Sequence, residues 1–156
     1  MPTLDETEAF VRDKFAGKFD RGDAPMADHM MRVASHVEEL GEDILHVAWL
    51  HDIVEDTDVT VTELIAREYS TDVVDAVVLL THDKKAMTYP EYIQRICDSG
   101  NWRAIYVKLA DQEDNRDPKR WLALNRYIQN ALTKKYAGVP QKLMEAAVRC
   151  KSSEFV

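Results

Sequence analysis

Apolar side chains recur along this chain with the spacing of amphipathic α-helices. Residues 4–18 and residues 25–40 each place their apolar side chains on one face, which predicts two N-terminal helices. Pro25 at the start of the second segment and Gly41 just past its end fit the usual placement of these residues around a helix. Further segments of the same kind follow, so the pattern predicts an all-α protein.

Two segments are too apolar to lie on the surface of the protein. Residues 44–54 are interrupted by only three polar residues, among them His51 and Asp52, and their length favours a helix, over residues 42–54. A second such segment covers residues 104–110. We therefore predict a helical bundle with two buried central helices.

The remaining segments are also expected to be helical. The valine-rich stretch at residues 73–80 permits a strand, but Asp75 and Ala76 break the period-2 alternation and favour a helix. Two amphipathic helices are expected to close the chain. Their apolar residues stand at core spacing: Trp121, Leu124, Ile128 and Leu132 in the first, and Leu143, Ala147 and Cys150 in the second.

Length and composition narrow the class of protein. The 156 residues fit one domain over residues 1–156, and 46% hydrophobic with 31% charged residues is typical of a globular protein. The net charge of −8 argues against DNA or RNA as a partner, although local cations permit a small anionic substrate. The chain has no run of 18 apolar residues and an acidic N-terminal stretch, so we expect a cytoplasmic protein without a membrane segment. The oligomeric state stays open.

A cluster of titratable residues marks the end of the first buried segment. His51, Asp52, Glu55 and Asp56 fall within six residues, and they would repel one another unless a cation lay among them. The alternative for the first two is a buried hydrogen-bonded pair. The alternative for the last two is a pair of ordinary acids at a helix C terminus, but that end of the helix dipole disfavours them.

Two further residues complete a possible metal site. Asp111 ends the second buried segment, and carboxylates that end two central helices are expected to converge on one cavity. His29 lies beside the apolar stripe of the preceding helix and is the natural fourth ligand. Two imidazoles with two carboxylates suit manganese, iron, cobalt or zinc.

This order of residues resembles the HD-domain metal-dependent phosphohydrolases. The segment at residues 50–57 is similar to the signature of the RelA/SpoT-homologue hydrolases, and so are residues 108–111 followed by Asn115. The resemblance covers about residues 10–116, with residues 117–156 as additional C-terminal helices, and it is closest to the small stand-alone members. These members hydrolyse the 3′-pyrophosphate of guanosine tetra- and pentaphosphate, and some similar animal proteins act on NADPH.

The resemblance assigns roles to particular residues. It implies an enzyme with one manganese ion bound by His29, His51, Asp52 and Asp111. Glu55 and Asp56 would orient or deprotonate the attacking water, with Glu55 as proton acceptor and later donor. Asn115 would contact the sugar or phosphate of a small nucleotide, and Arg21, Lys84 and Lys108 are the candidates to hold its phosphates.

Three positions depart from the family pattern. Asp20 reverses the charge of one expected cation, Met26 stands where an aromatic residue is common, and Gln112, with the acids that follow it, replaces the residues after the metal Asp. These changes favour a smaller or less charged phosphate ester. A different nucleotide or a nicotinamide phosphate is therefore the alternative substrate, and a non-catalytic nucleotide sensor is the alternative function.

Overall fold

Helices account for all the regular secondary structure in residues 1–154, the part of the chain that the structure, a computed structural model, describes. Side chains are described for residues 1–150. The α-helices are α1 (Leu4–Lys14), α2 (Met26–His36), α3 (Glu42–Leu50), α4 (Ile53–Asp56), α5 (Val61–Ala66), α6 (Thr71–Leu80), α7 (Tyr89–Asp98), α8 (Trp102–Asn115), α9 (Pro118–Leu122), α10 (Arg126–Tyr136) and α11 (Val139–Glu154). The all-α prediction is confirmed, including the valine-rich segment, where α6 begins after the Ser70 cap.

Helices α3 and α8 form the centre of the bundle, as predicted. Helix α3 packs against α1, α2, α6 and α8, and α8 also packs against α2, α6 and α11. Residues 46–50 of α3 are all buried. Full burial of a large apolar side chain stabilises a fold by roughly 1.5–3 kcal/mol, so the ends of these two helices are held firmly.

The predicted helix over residues 42–54 is interrupted at the two residues that carry its chemistry. Helix α3 ends at Leu50, Asp52 adopts φ −106° and ψ 1°, and α4 begins at Ile53. The His51 ring donates from Nδ1 to the Ala48 carbonyl at 2.6 Å. In an unbroken helix that carbonyl would accept from the Asp52 N–H, so the side chain replaces a backbone hydrogen bond. The break turns both side chains toward the same side.

The loop between α1 and α2 is built around Asp20. One carboxylate oxygen of Asp20 accepts from the backbone N–H groups of Gly22 at 2.8 Å and Ala24 at 3.0 Å. A backbone bridge between Phe19 and Pro25 closes the loop. Short polar side chains that bond to nearby backbone groups are typical of turns. The loop ends at α2, which stops at His36, earlier than predicted, and is followed by a 3₁₀ turn.

The C-terminal segment contains three helices instead of two. Helix α11 packs along α7 and α8, and its Leu143, Ala147 and Cys150 are buried, as predicted. The core prediction for Trp121, Leu124, Ile128 and Leu132 is wrong, because no residue of α9 or α10 is buried. Leu124 and Leu132 instead line a cavity, so this apolar stripe covers a cleft.

None of the helices in the described part of the chain is both long and apolar enough to cross a lipid bilayer.

Candidate metal centre and substrate cleft

The four candidate metal ligands converge on one point. His29 projects from α2, His51 and Asp52 from the break after α3, and Asp111 from the last turns of α8. One ligand atom from each lies within 4.8 Å of the other three. Among the candidate ligands, His29 Nε2 lies 2.9 Å and His51 Nε2 lies 3.4 Å from Asp111 Oδ1. The fold thus brings together residues that are up to 82 positions apart.

Hydrogen bonds fix how both imidazole rings face this point. His51 Nδ1 donates to the Ala48 carbonyl, and His29 Nδ1 donates to Asp114 Oδ2 at 2.6 Å. Both Nε2 atoms are therefore directed at the carboxylates of the cluster. His51 Nε2 is buried and makes no hydrogen bond to any described residue, although Asp52 Oδ2 lies 3.3 Å away. An unpartnered buried nitrogen at this place is consistent with a metal ligand.

The electrostatics of the cluster require a positive charge at its centre. Burial by itself would lower the pKa of His51, but Asp52 and Asp111 raise it well above the usual value. Burial also opposes the charged form of His29, yet its hydrogen bonds to Asp111 and Asp114 raise its pKa. Two neutral imidazoles would point lone pairs at carboxylate oxygens, so either protons or a cation must lie between them.

The donor set and its dimensions fit a single first-row ion. Ligand atoms on opposite sides of such an ion lie about 4.2 Å apart, twice a typical metal–nitrogen distance. The four atoms here span up to 4.8 Å, and only a small contraction would be needed. Two nitrogen and two oxygen donors suit manganese, iron, cobalt or zinc. Asp52 has 22% of its side chain exposed, which leaves one side of the cluster open.

Lys108 and Asn115 both contact the Asp111 carboxylate. The Lys108 ammonium donates to Oδ2 at 2.8 Å, and Asn115 Nδ2 donates to Oδ1 at 3.2 Å. Burial would raise the pKa of Asp111, but Lys108 and the two histidines lower it well below its usual range. Lys108 was expected to hold phosphate, and the structure shows it neutralising a candidate ligand while it still lines the cavity.

Two adjoining cavities form a cleft over the cluster. The inner cavity measures about 180 Å³ and is lined by three of the four candidate ligands, His29, Asp52 and Asp111, and the outer one measures about 550 Å³. The volume of the outer cavity falls within the usual range for small-molecule sites. Residues that line both cavities come from the whole length of the chain: Met26, Glu55, Asp56, Lys84, Asn115, Arg120, Lys135 and Tyr136.

The predicted acids lie where the two cavities meet. Glu55 Oε1 accepts from the His82 backbone N–H at 2.7 Å, which fixes the direction of that carboxylate. Burial, together with the neighbouring charges of Asp52 and Glu55, raises the pKa of Asp56 to about 6. A carboxylate with a pKa near neutrality can both accept and return a proton. The shifted pKa makes Asp56 a candidate proton acceptor alongside Glu55.

Cations from the C-terminal helices were missed by the sequence analysis. Arg21 and Lys84 line the outer cavity as expected, but so do Lys119, Arg120 and Lys135. No motif connects these three to the site, because they follow the last motif residue and stand on helices whose position the sequence does not reveal. Partial burial, with repulsion from Lys108, Lys84 and Arg21, lowers the pKa of Lys135. Several cations therefore face one cleft in a protein of net charge −8.

Comparison with known proteins supports the fold. No protein-family profile and no curated protein sequence matches the chain. Among solved structures, the chain is similar to a metazoan ortholog of SpoT, with a TM-score of 0.63 and 22% identity over 96% of this chain and 97% of that one. That protein is described as hydrolysing ppGpp and as having a role in starvation responses. The match agrees with the helical fold implied by the HD-domain resemblance.

We expect Asp111→Ala to weaken binding of Mn²⁺ by at least about 100-fold, more than the loss typical for residues outside the ligand shell. Isothermal titration of the purified protein would measure this. Glu113→Ala is the matched control, because its side chain lies on the same helix and is 71% exposed. His51→Gln leaves the Lys108–Asp111 pair in place and should show a similar loss. Full retention of Mn²⁺ by both site variants would contradict the ligand assignment.

Proposed function

We propose that the protein is a metal-dependent phosphohydrolase that removes the 3′-pyrophosphate of a guanosine polyphosphate such as ppGpp. The observation that carries this proposal is the buried His29, His51, Asp52 and Asp111 cluster at the base of a cation-lined cleft. The likeness to a ppGpp-hydrolysing protein over nearly the whole chain supports it. A location in the cytoplasm is part of the same proposal.

The four clustered residues would hold the ion, which we propose to be Mn²⁺. When bound, a divalent ion of this kind activates water and polarises a phosphoryl oxygen. Lys108 and Asn115 keep the Asp111 carboxylate in place through their hydrogen bonds to its two oxygens. Asp114 and the Ala48 carbonyl hold the two imidazoles. The protein thus presents a fixed set of donors before substrate arrives, which is the main requirement for electrostatic catalysis.

In the proposed reaction, water attacks the phosphorus bonded to the ribose 3′-oxygen. The bond between that phosphorus and the 3′-oxygen breaks, pyrophosphate leaves, and the nucleotide retains a 3′-hydroxyl. Asp56 accepts the proton of the attacking water and returns one to the 3′-oxygen, for which a pKa of about 6 is well suited. Glu55, held by the His82 N–H, orients the water.

The charges of the cleft favour a substrate with several phosphates. Arg21, Lys84 and Lys135 face the outer cavity without an ion-pair partner among the described residues. Burial, together with repulsion from Lys108, Lys84 and Arg21, lowers the pKa of Lys135. An anionic group would relieve that repulsion, so the outer cavity is suited to the phosphates of a nucleotide. The charge reversal at Asp20 does not leave the cleft short of cations.

The first experiment is product analysis with the manganese-loaded protein. Guanosine tetraphosphate, NADPH and ordinary nucleotides would be incubated separately, and pyrophosphate and orthophosphate would be measured. We expect pyrophosphate from guanosine tetraphosphate alone. Orthophosphate from NADPH or another nucleotide would shift the substrate to the alternative. Tight nucleotide binding with no product from any compound would contradict the enzyme and favour a sensor.

Asp56→Asn should retain Mn²⁺ and lower kcat by about 10²–10⁴-fold, the usual contribution of a general base. Asp56 must be deprotonated to accept a proton, so the wild-type rate should fall at acidic pH. Because a bound cation lowers the pKa of Asp56 from about 6, this fall is expected below pH 6. The variant should lack this acidic limb. Asp58→Asn, an exposed acid nearby, is the control. A variant with unchanged kcat would remove the assigned role.

Lys135→Ala should raise KM by about 10-fold or more while leaving kcat nearly unchanged, since a hydrogen bond to a charged group contributes about 1.5–3 kcal/mol. The neighbouring Lys134→Ala makes the same change of charge on the same helix at a residue outside both cavities. Steady-state kinetics of the two variants would separate a local contact from general electrostatic attraction. Equal KM values in both variants would contradict a substrate contact by Lys135.

A further inference from the structure

Asp114 is a buried carboxylate beside the four clustered residues, and it takes no part in the chemical steps of the proposed reaction. It lies in the last turn of α8, only 2% exposed, three residues after Asp111. Oδ2 accepts from His29 Nδ1 at 2.6 Å and from Arg120 Nη1 at 2.8 Å, and Oδ1 accepts from Arg32 Nε at 2.7 Å. A buried anion with three donors is well satisfied, and removal of its charge would affect all three partners.

The contact with His29 determines which ring nitrogen faces the cluster. His29 Nδ1 lies 2.6 Å from Asp114 Oδ2 and 3.1 Å from Arg120 Nη1. The carboxylate is the closer partner and can only accept, so Nδ1 carries hydrogen, and Nε2 is directed at Asp111 Oδ1, 2.9 Å away. His51 obtains the same orientation from the backbone carbonyl of Ala48. A backbone carbonyl therefore orients His51, whereas a side chain orients His29. Only the orientation of His29 can be changed by a substitution. Such outer partners fix the tautomer and the direction of metal-binding histidines.

Arg120 extends this arrangement to two other parts of the cleft. The same Nη1 that contacts Asp114 donates to Asn115 Oδ1 at 2.9 Å, and Nη2 donates to Asp20 Oδ2 at 3.2 Å. Asn115 is thereby oriented with its Nδ2 toward Asp111. The pair of Asp114 and Arg120 thus connects His29, Asn115 and the loop before α2 through direct hydrogen bonds.

We propose that Asp114 is a positioning residue that sets the tautomer and direction of His29 for binding a divalent cation. This inference rests on the cation site of the proposed function. Asp114 belongs to the run of acids after Gln112 that departs from the family pattern, and this role gives that departure a physical reason. Arg120 supports the same geometry by holding Asp114 and Asn115 together.

The test compares a variant that removes the Asp114 charge from all three partners with one that removes the Arg32 contact alone. Asp114→Asn keeps the shape of the side chain and removes its charge from His29. Arg32→Met removes the Oδ1 ion pair and leaves the His29 contact intact. Both should lower the melting temperature. Titration with Co²⁺ would measure affinity, and the visible absorption spectrum of bound Co²⁺ would report the ligand geometry.

We expect Asp114→Asn to weaken Co²⁺ binding by about 10–100-fold and to alter the spectrum. Arg32→Met should bind Co²⁺ with nearly wild-type affinity and spectrum. A purely structural role predicts the same small change in both variants, so equal affinities, or an Asp114→Asn spectrum identical to that of wild type, would overturn the assignment. A wild-type protein that binds no Co²⁺ would overturn the proposed function as well, which distinguishes the two failures.

A measurement on the wild-type protein avoids any loss of folding in the variants. Long-range ¹H–¹⁵N NMR of the zinc-loaded protein distinguishes the protonated from the metal-binding nitrogen of each imidazole. We expect His29 to carry its hydrogen on Nδ1 and to bind through Nε2. The reverse tautomer at His29, with zinc bound, would overturn the role of Asp114.

Discussion

The position of α2, α3 and α8 depends on one buried carboxylate. Asp111 Oδ1 lies 2.9 Å from His29 Nε2 and 3.4 Å from His51 Nε2 and accepts from Asn115, and Oδ2 accepts from Lys108. A buried ion costs several kcal/mol unless it is fully paired, so these groups must approach from three helices for Asp111 to remain charged. The apolar packing of α3 and α8 makes that approach possible, and the break after Leu50 supplies the last contacts. The packing of the core helices and the pairing of Asp111 in the site therefore depend on each other.

The loop before α2 shows how a change of sign can be accommodated. As a sequence feature, Asp20 is a lost cation. In the structure, one carboxylate oxygen of Asp20 accepts from the backbone N–H groups of Gly22 and Ala24. The other oxygen pairs with Arg120 from α9. The positive charge at this loop therefore comes from Arg120, 100 residues further along the chain, and its pairing with Asp20 neutralises it. Lys84 and Lys135, unpaired among the described residues, then supply cations for an anionic ligand. Of these two residues, the sequence analysis identified only Lys84.

The sequence predicts most of the fold, the centre of the site and part of the cleft, but not the side of the cleft that α9 and α10 form. Apolar periodicity identified α3 and α8, because fully buried helices carry a strong signal. The motifs around His51 and Asp111 identified the cluster. The break at Asp52 was not predictable, since it depends on a hydrogen bond from His51 to the Ala48 carbonyl. The apolar stripe of Leu124 and Leu132 was misassigned, because periodicity cannot distinguish a face on a core from a face on a cleft.

Helices α9 and α10 have no buried residue, yet they supply Arg120, Lys135 and Tyr136 to the cleft. Their free energy of local opening should therefore be far below that of the α3–α8 core, and their amide hydrogens should exchange with solvent much sooner. Opening of α10 alone would leave the contacts of Arg120 with Asp114 and Asn115 in place. Substrate can then enter and product leave without unfolding of the α3–α8 core. The rate at which α10 returns to its place can limit turnover.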